Sequence, residues 1–331
     1  MELHRFNRRA VLRAAAAAGA AGIVPFARAQ NAAWPLKPVM MIVPFPAGGG
    51  TDAFARPLGA QFAKQTGKQL IIDNRGGAGG TVGASLAARA APDGYSLFMG
   101  AVHHTIAPWI YSRLDYDLQK DLIPITLVAR VPQVVVVNPQ RIPARNFQEF
   151  LALVKANPGK YNYGSAGNGT SHHLAGELFK LQTKTFITHI PYRGAGPALQ
   201  DLVAGNCDIM FDGLGSSAAH IKGGRIKALM VAGNQRNPAI PDVPTAAEVS
   251  LPDYTVTTWY GIWAPKGTAA DVQQHVADEV RKALQSPEMQ AVWAQQGAEF
   301  PNLTQQQFAQ FIDSEVKRWG AVVKAANVKA D

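Results

Sequence analysis

The same glycine-rich turn occurs twice in this chain, as Gly48-Gly49-Gly50-Thr51-Asp52 and as Gly167-Asn168-Gly169-Thr170-Ser171, 119 residues apart. Each copy follows a strand-like run, Val39 to Phe45 or Tyr161 to Gly164, and opens a helical pattern. Turns of this kind leave backbone N–H groups without partners at the positive end of a helix, so each is an anion site in waiting. Two copies at corresponding places in two α/β halves can face each other across a cleft and hold a small anion without an arginine. A single copy reads more readily as an ordinary strand-to-helix turn capped by Thr51, Asp52, Thr170 or Ser171, and it is the pairing that points to a site.

The rest of the chain fits that plan. Gln69 to Asp73, Tyr95 to Met99, Val134 to Val137, Phe186 to Ile190, Asp208 to Phe211 and Ala228 to Val231 read as strands alternating with helical patterns, the signature of parallel sheets with crossover helices. Asn146 and Glu149 form a capping box ahead of Phe147 to Lys155, and Thr304 with Gln307 forms a second ahead of Gln305 to Ala326. Ala269 to Leu284 is a further amphipathic helix. Pro57 falls inside the first helical pattern and is expected to kink it or delay its start. With 331 residues, two domains are expected: residues 30–128 with 252–331, and residues 129–251.

Residues 1–29 have a composition of their own. A basic stretch from His4 to Arg13, a small apolar run from Ala14 to Val24 and Ala27-Arg28-Ala29 read as a signal peptide cleaved after Ala29. Asn7-Arg8-Arg9 gives it a twin-arginine look. These residues hold five Arg and one Glu, so the remainder carries 27 basic against 22 acidic side chains. That scattered excess suits an anionic small molecule and not nucleic acid, and the chain is expected to be a monomer. Cys207, the single cysteine, leads an apolar run and reads as a buried thiol.

The residue patterns of the common catalytic sites are incomplete in this sequence. Gly48-x-Gly50 with Asp73 downstream imitates a dinucleotide fingerprint and would make the chain an exported NAD(P)-dependent oxidoreductase, but Pro44 and Pro46 stand where strand should run into the turn. Ser165 lacks the preceding glycine of a nucleophile elbow, since Tyr163 occupies that place. His103-His104 and His172-His173 are adjacent pairs, not spaced as metal ligands, so no metal and no cofactor is expected.

Several motifs in fixed order carry a resemblance. Ile42-Val43-Pro44-Phe45-Pro46-Ala47-Gly48-Gly49-Gly50-Thr51-Asp52, Asp73-Asn74-Arg75-Gly76-Gly77-Ala78-Gly79-Gly80, Tyr163-Gly164-Ser165-Ala166-Gly167, Pro191-Tyr192-Arg193-Gly194, Asp208-Ile209-Met210-Phe211-Asp212 and Trp259-Tyr260-Gly261 resemble the Bug family of extracytoplasmic solute receptors. The resemblance implies a type II periplasmic binding protein fold, α/β, with two domains and a ligand cleft between them. It implies a periplasmic, non-catalytic receptor that captures a small organic carboxylate and delivers it to the membrane permease of a tripartite tricarboxylate transporter; a ligand-sensing role in signalling is the variant reading. Carried over position by position, it places ligand contacts at Gly48, Gly49, Gly50, Thr51, Asp52, Ala78, Gly79, Ser165, Thr170 and Ser171, with Tyr192 and Asp212 as walls. Val102-His103-His104 and Ala107-Pro108 depart from the family's usual residues, and His104 or His103 is expected at a second carboxylate.

Overall fold

A computed structural model describes residues 34–326, 328 and 329, so the signal peptide expected at residues 1–29 lies outside the described residues. From Lys37 on, the described residues form one compact unit.

The element order is β1 (Val39–Val43), α1 (Gly50–Thr66), β2 (Leu70–Asn74), α2 (Thr81–Ala88), β3 (Ser96–Ala101), α3 (His103–Ile110), β4 (Leu122–Val137), α4 (Phe147–Ala156), β5 (Asn162–Ser165), α5 (Ser171–Thr183), β6 (Thr188–Pro191), α6 (Ala195–Ala204), β7 (Ile209–Gly213), α7 (Leu214–Lys222), β8 (Lys227–Val231), β9 (Thr257–Pro265), α8 (Ala270–Leu284), α9 (Pro287–Gln295) and α10 (Gln305–Ala326). The strands join in the order β2-β1-β3-β9-β4-β7-β5-β6, with β8 beside β4. β1 pairs in parallel with both β2 and β3, which is why its run Val-Met-Met-Ile-Val is apolar almost throughout.

Two antiparallel strands hold the sheet together. β4 runs beside β9 from Leu122 to Pro132 and then, from Gln133 to Val137, pairs with β7 and β8. Sequence reading found only its last four residues, because Pro124 and Pro132 break the appearance of a strand. Pro132, which has no N–H to give, sits where β4 leaves β9 for its next neighbours, a place where the ladder can spare a donor. The part led by β1, β2, β3 and β9 is called here the first half of the sheet, and the part holding β5 to β8 the second.

Pro57 neither ends nor delays α1, which runs from Gly50 through it to Thr66. The proline leaves the Ala53 carbonyl without its usual donor four residues on, and the Gln296 amide Nε2 donates to that carbonyl at 3.2 Å. The helix α9 that brings Gln296 into place was not expected from the sequence; Ser286 caps it and Pro287 opens it. Asn146 caps α4 as expected, though Glu149 reaches the Arg145 N–H and not that of Asn146. Thr304 and Gln307 complete their box in both directions. Among the described residues no helix is long and apolar enough to cross a membrane.

Candidate functional site

Both halves of the sheet contribute to a small enclosed cavity of about 10 Å³. Phe45, Gly49, Gly50, Thr51, His103 and Tyr260 line it from the first half, and Ala166, His172 and Ala195 from the second. All these residues are buried, and the space suffices for about one water molecule. Phe45 and Ala166 also border an outer cleft of about 290 Å³, bounded by Gly77, Ala78, Gly79, Gly80 and Tyr111 on one side and by Gly167, Asn168, Pro191, Tyr192 and Arg193 on the other.

Two helices point their N-termini at this place without a side-chain cap. α1 starts behind Gly49 and α6 behind Gly194, and neither N-cap residue has a side chain to accept from the first amides. They abut. A Cβ placed on Gly49 would lie 3.3 Å from the Gly196 nitrogen, and one on Gly196 would lie 2.5 Å from the Ala47 carbonyl oxygen. Glycine at both positions is what allows the approach. The positive ends of two helix dipoles therefore converge on one buried space, an arrangement that favours an anion.

Thr51, second residue of α1, lines the inner cavity and makes no side-chain hydrogen bond among the described residues. Asp52 does something else: its carboxylate accepts from the Gly48 N–H (3.0 Å), Arg56 Nε (2.8 Å) and Asn74 Nδ2 (3.0 Å), which pins the turn and occupies one of its amides. Gly48 needs its glycine for a φ of +84°. Ala78 and Gly79 border the outer cleft, both with positive φ. The second glycine-rich turn is largely self-satisfied. Ser165 Oγ accepts from the Gly167 N–H, the Thr170 hydroxyl donates to the Gly167 carbonyl, Thr170 caps α5, and the Gly169 N–H donates to His173 Nδ1. Ser171 Oγ accepts from Gln133 Nε2 at 3.1 Å. Of the two facing loops that the sequence singles out, the first thus meets the N-terminus of α6, which the sequence reading left unmarked.

His104 is buried away from both cavities. Its Nδ1 lies 3.0 Å from the Ala101 nitrogen and 2.9 Å from the Ala101 oxygen, and its Nε2 lies 3.4 Å from the Gly80 oxygen. Burial lowers its pKa to about 4. The neighbouring His103 is the one that reaches the cavity wall. Tyr192 borders the outer cleft while donating its hydroxyl to Asp201 at 2.9 Å, and burial raises its pKa. Asp212 is fully buried behind His172; one oxygen accepts from the Ser216 and Ser217 hydroxyls, and the other has no hydrogen-bond partner and lies 3.6 Å from His172 Nε2.

Four residues at the two cavities are not among the ligand contacts expected from the sequence. Tyr260, inside the Trp259-Tyr260-Gly261 motif, and His172, of the adjacent histidine pair, face the inner cavity. Phe45 lines both cavities. Arg193 is exposed, borders the outer cleft and has no ion pair among the described residues, which puts a cation at the rim of a site whose two loops need no arginine to hold an anion.

Among the described residues the arrangement holds no complete reacting centre. Ser165 Oγ stands 2.7 Å from His189 Nε2, the spacing of a nucleophile and its base. Yet the hydroxyl is fully buried against Gly167, and the His189 ring is stacked on His173 at 4.0 Å and on Tyr163 at 4.8 Å, with no carboxylate orienting it among the described residues. Asp73, which a dinucleotide site would need for ribose, accepts from Arg75 Nε through both oxygens. No group of three or more acidic, His or Cys side chains forms a metal site among the described residues.

A two-part α/β fold closed over a buried, amide-lined cavity defines the class of solute-binding receptors. The family model described as "Tripartite tricarboxylate transporter family receptor" matches residues 54–328, and the chain belongs to that family, whose members of the Bug type are periplasmic solute-binding receptors and not enzymes. It is similar to the UPF0065 protein in the tcbD-tcbE intergenic region of Pseudomonas sp. strain P51, with 36% identity over 92% of this chain and 91% of that one. Among solved structures it resembles the periplasmic binding protein BugD, with 34% identity, a TM-score of 0.86 and coverage of 89% and 99%. It also resembles Rhodopseudomonas palustris MatC with bound malate, with 34% identity, a TM-score of 0.82 and coverage of 88% and 100%. R. palustris Rpa4515 with adipate gives 31%, 0.86 and coverage of 89% and 99%.

Proposed function

We propose that this receptor captures a small organic carboxylate between the two halves of the sheet and delivers it to the permease of a tripartite tricarboxylate transporter. The observation that carries the reading is the convergence of the uncapped N-termini of α1 and α6 on one buried cavity beside the Thr51 hydroxyl. In this reading those amides and Thr51 hold one carboxylate, donors to an ionised group contributing roughly 1.5 to 3 kcal/mol each. Ala78, Gly79, Tyr192 and Arg193 border the remainder of the ligand in the outer cleft. Relatives with malate and adipate bound support the ligand class.

The two lobes are residues 30–128 with 252–331, and residues 129–251, with β4 and the chain entering β9 as the crossovers. The mature protein is a periplasmic monomer released by cleavage after Ala29, which N-terminal sequencing and light scattering check. A thermal-shift screen against malate, adipate and a wider carboxylate panel, with NAD and NADP as controls, tests the function. A ligand at a hundredfold excess over its Kd should add about 2.7 kcal/mol of stability. No shift with any carboxylate, or a shift with the dinucleotides alone, overturns the reading.

A further inference from the structure

His103 opens α3 in the first half of the sheet, and Ser171 opens α5 in the second. The Ser171 backbone N–H donates to His103 Nδ1 at 3.0 Å. An imidazole nitrogen that accepts a hydrogen bond carries no proton, so the ring is neutral and its one proton is on Nε2. His103 lines the inner cavity, and among the described residues Nε2 has no protein partner. The ring is fixed from two further sides, edge-on to Phe45 at 5.2 Å and to His172 at 5.6 Å.

We infer that His103 is a positioning and specificity-determining residue of the receptor: it latches the closed form through Nδ1 and offers a tautomer-locked Nε2–H to an oxygen of the ligand. The inference deepens the carboxylate reading and, for the Nε2–H contact, rests on it. A protonated ring would set a second N–H against that of Ser171, so the latch forms only on neutral His103. The cavity walls are buried, so ligand reaches them only through a form in which the halves part, and there the ring is free to take up a proton. Proton uptake therefore favours the open form, and affinity falls as pH drops through the ordinary histidine range.

Burial disfavours a charge on the ring, and so do His172 on α5 and His104 on the same helix. Asp212 on β7 faces His172 at 3.6 Å, and Tyr260 on β9 shares the cavity. The latch to Ser171 distinguishes His103 from the other rings in this cluster.

The test has an arm that needs no ligand. A Cβ on Gly49 would lie 3.5 Å from Ala195 Cβ, within disulfide range, so Gly49→Cys with Ala195→Cys locks the closed form. Long-range nitrogen–proton NMR of the histidine-labelled, locked protein at pH 7.5, with His103 assigned by its loss in a His103→Asn variant, should show protonated Nε2 and bare Nδ1. Protonated Nδ1, or an imidazolium, overturns the inference whatever the ligand proves to be. In the second arm, malate and adipate are titrated into the unlocked protein from pH 8 to 5.5. Wild-type affinity should fall by up to tenfold per pH unit below about 6.5, relative to His103→Asn, whose amide can accept and donate without titrating. His103→Leu should lose about tenfold or more at pH 7.5. Parallel pH profiles for wild type and His103→Asn overturn the proton latch while leaving carboxylate binding intact; failure of every carboxylate to bind overturns the receptor reading, and the NMR arm still decides the latch.

Discussion

Gly50 has no room for a methyl group. A Cβ there would lie 2.0 Å from the Tyr260 hydroxyl oxygen and 3.0 Å from the ring carbon that bears it. Gly50→Ala should therefore cost about 1 to 3 kcal/mol by overpacking. Tyr260→Phe removes the nearest atom, so the double variant should recover part of that loss in urea denaturation; strictly additive losses would show that the clash is not what Gly50 avoids. Gly49 is a different case. It adopts ordinary extended backbone at the N-cap, where aspartate is normally welcome, so the cost of a side chain there comes from the facing α6. Comparing Gly49→Asn with Gly49→Asp holds size nearly constant. If the α1 and α6 amides bind a carboxylate, the aspartate variant should bind at least tenfold more weakly than the asparagine variant in isothermal titration.

At the scale of elements, the strands of the parallel sheet and the capped helices were legible because local rules decide them. Asn146 and Thr304 cap their helices through side chains three residues from their targets, and β1 shows its burial in five consecutive apolar residues. β4, β9 and α9 were not legible, since each depends on a partner far away in sequence. Pro57 is the clearest case. The rule that proline interrupts a helix speaks of a missing donor, and Gln296, well over two hundred residues on, supplies one. Gln296→Met should accordingly cost about 1 to 3 kcal/mol by leaving the Ala53 carbonyl unpaired, while Gln296→Met in a Pro57→Ala background should cost much less. The candidate site shows the same division. Gly49 to Thr51, which line the inner cavity, stand in a turn whose chemistry is local, whereas Tyr260 arrives on β9 and His172, Ala195 and Arg193 come from the second half, placements far apart in sequence that no short motif encodes. His104 and His103 differ by a single residue, and the assignment turned on which ring the start of α3 directs at the Gly80 carbonyl.

For the whole molecule, the buried histidines set a limit on the acid side. His103, His104, His172, His173 and His189 all have pKa values lowered chiefly by burial, to about 4 for His104 and about 3 for His189. The unfolded chain takes up these protons near pH 6.5, and the closed folded form does so only at lower pH. Stability is therefore complete above about pH 6.5 and declines as pH falls from there toward the folded values. A single ring such as His104 would cost about 2 kcal/mol at pH 5. Carboxylates held low by partners, such as Glu149 beside Arg145, act in the same direction but only below about pH 4.5. Chemical denaturation between pH 8 and 5 should consequently show a loss that begins near pH 6.5. His104→Gln should be less stable at pH 8, because a buried ring is replaced, yet show a shallower decline toward pH 5. A decline that began only below pH 4.5 would mean that these rings are already protonated in the folded protein, and would remove the basis for a neutral His103 at the junction of the two halves.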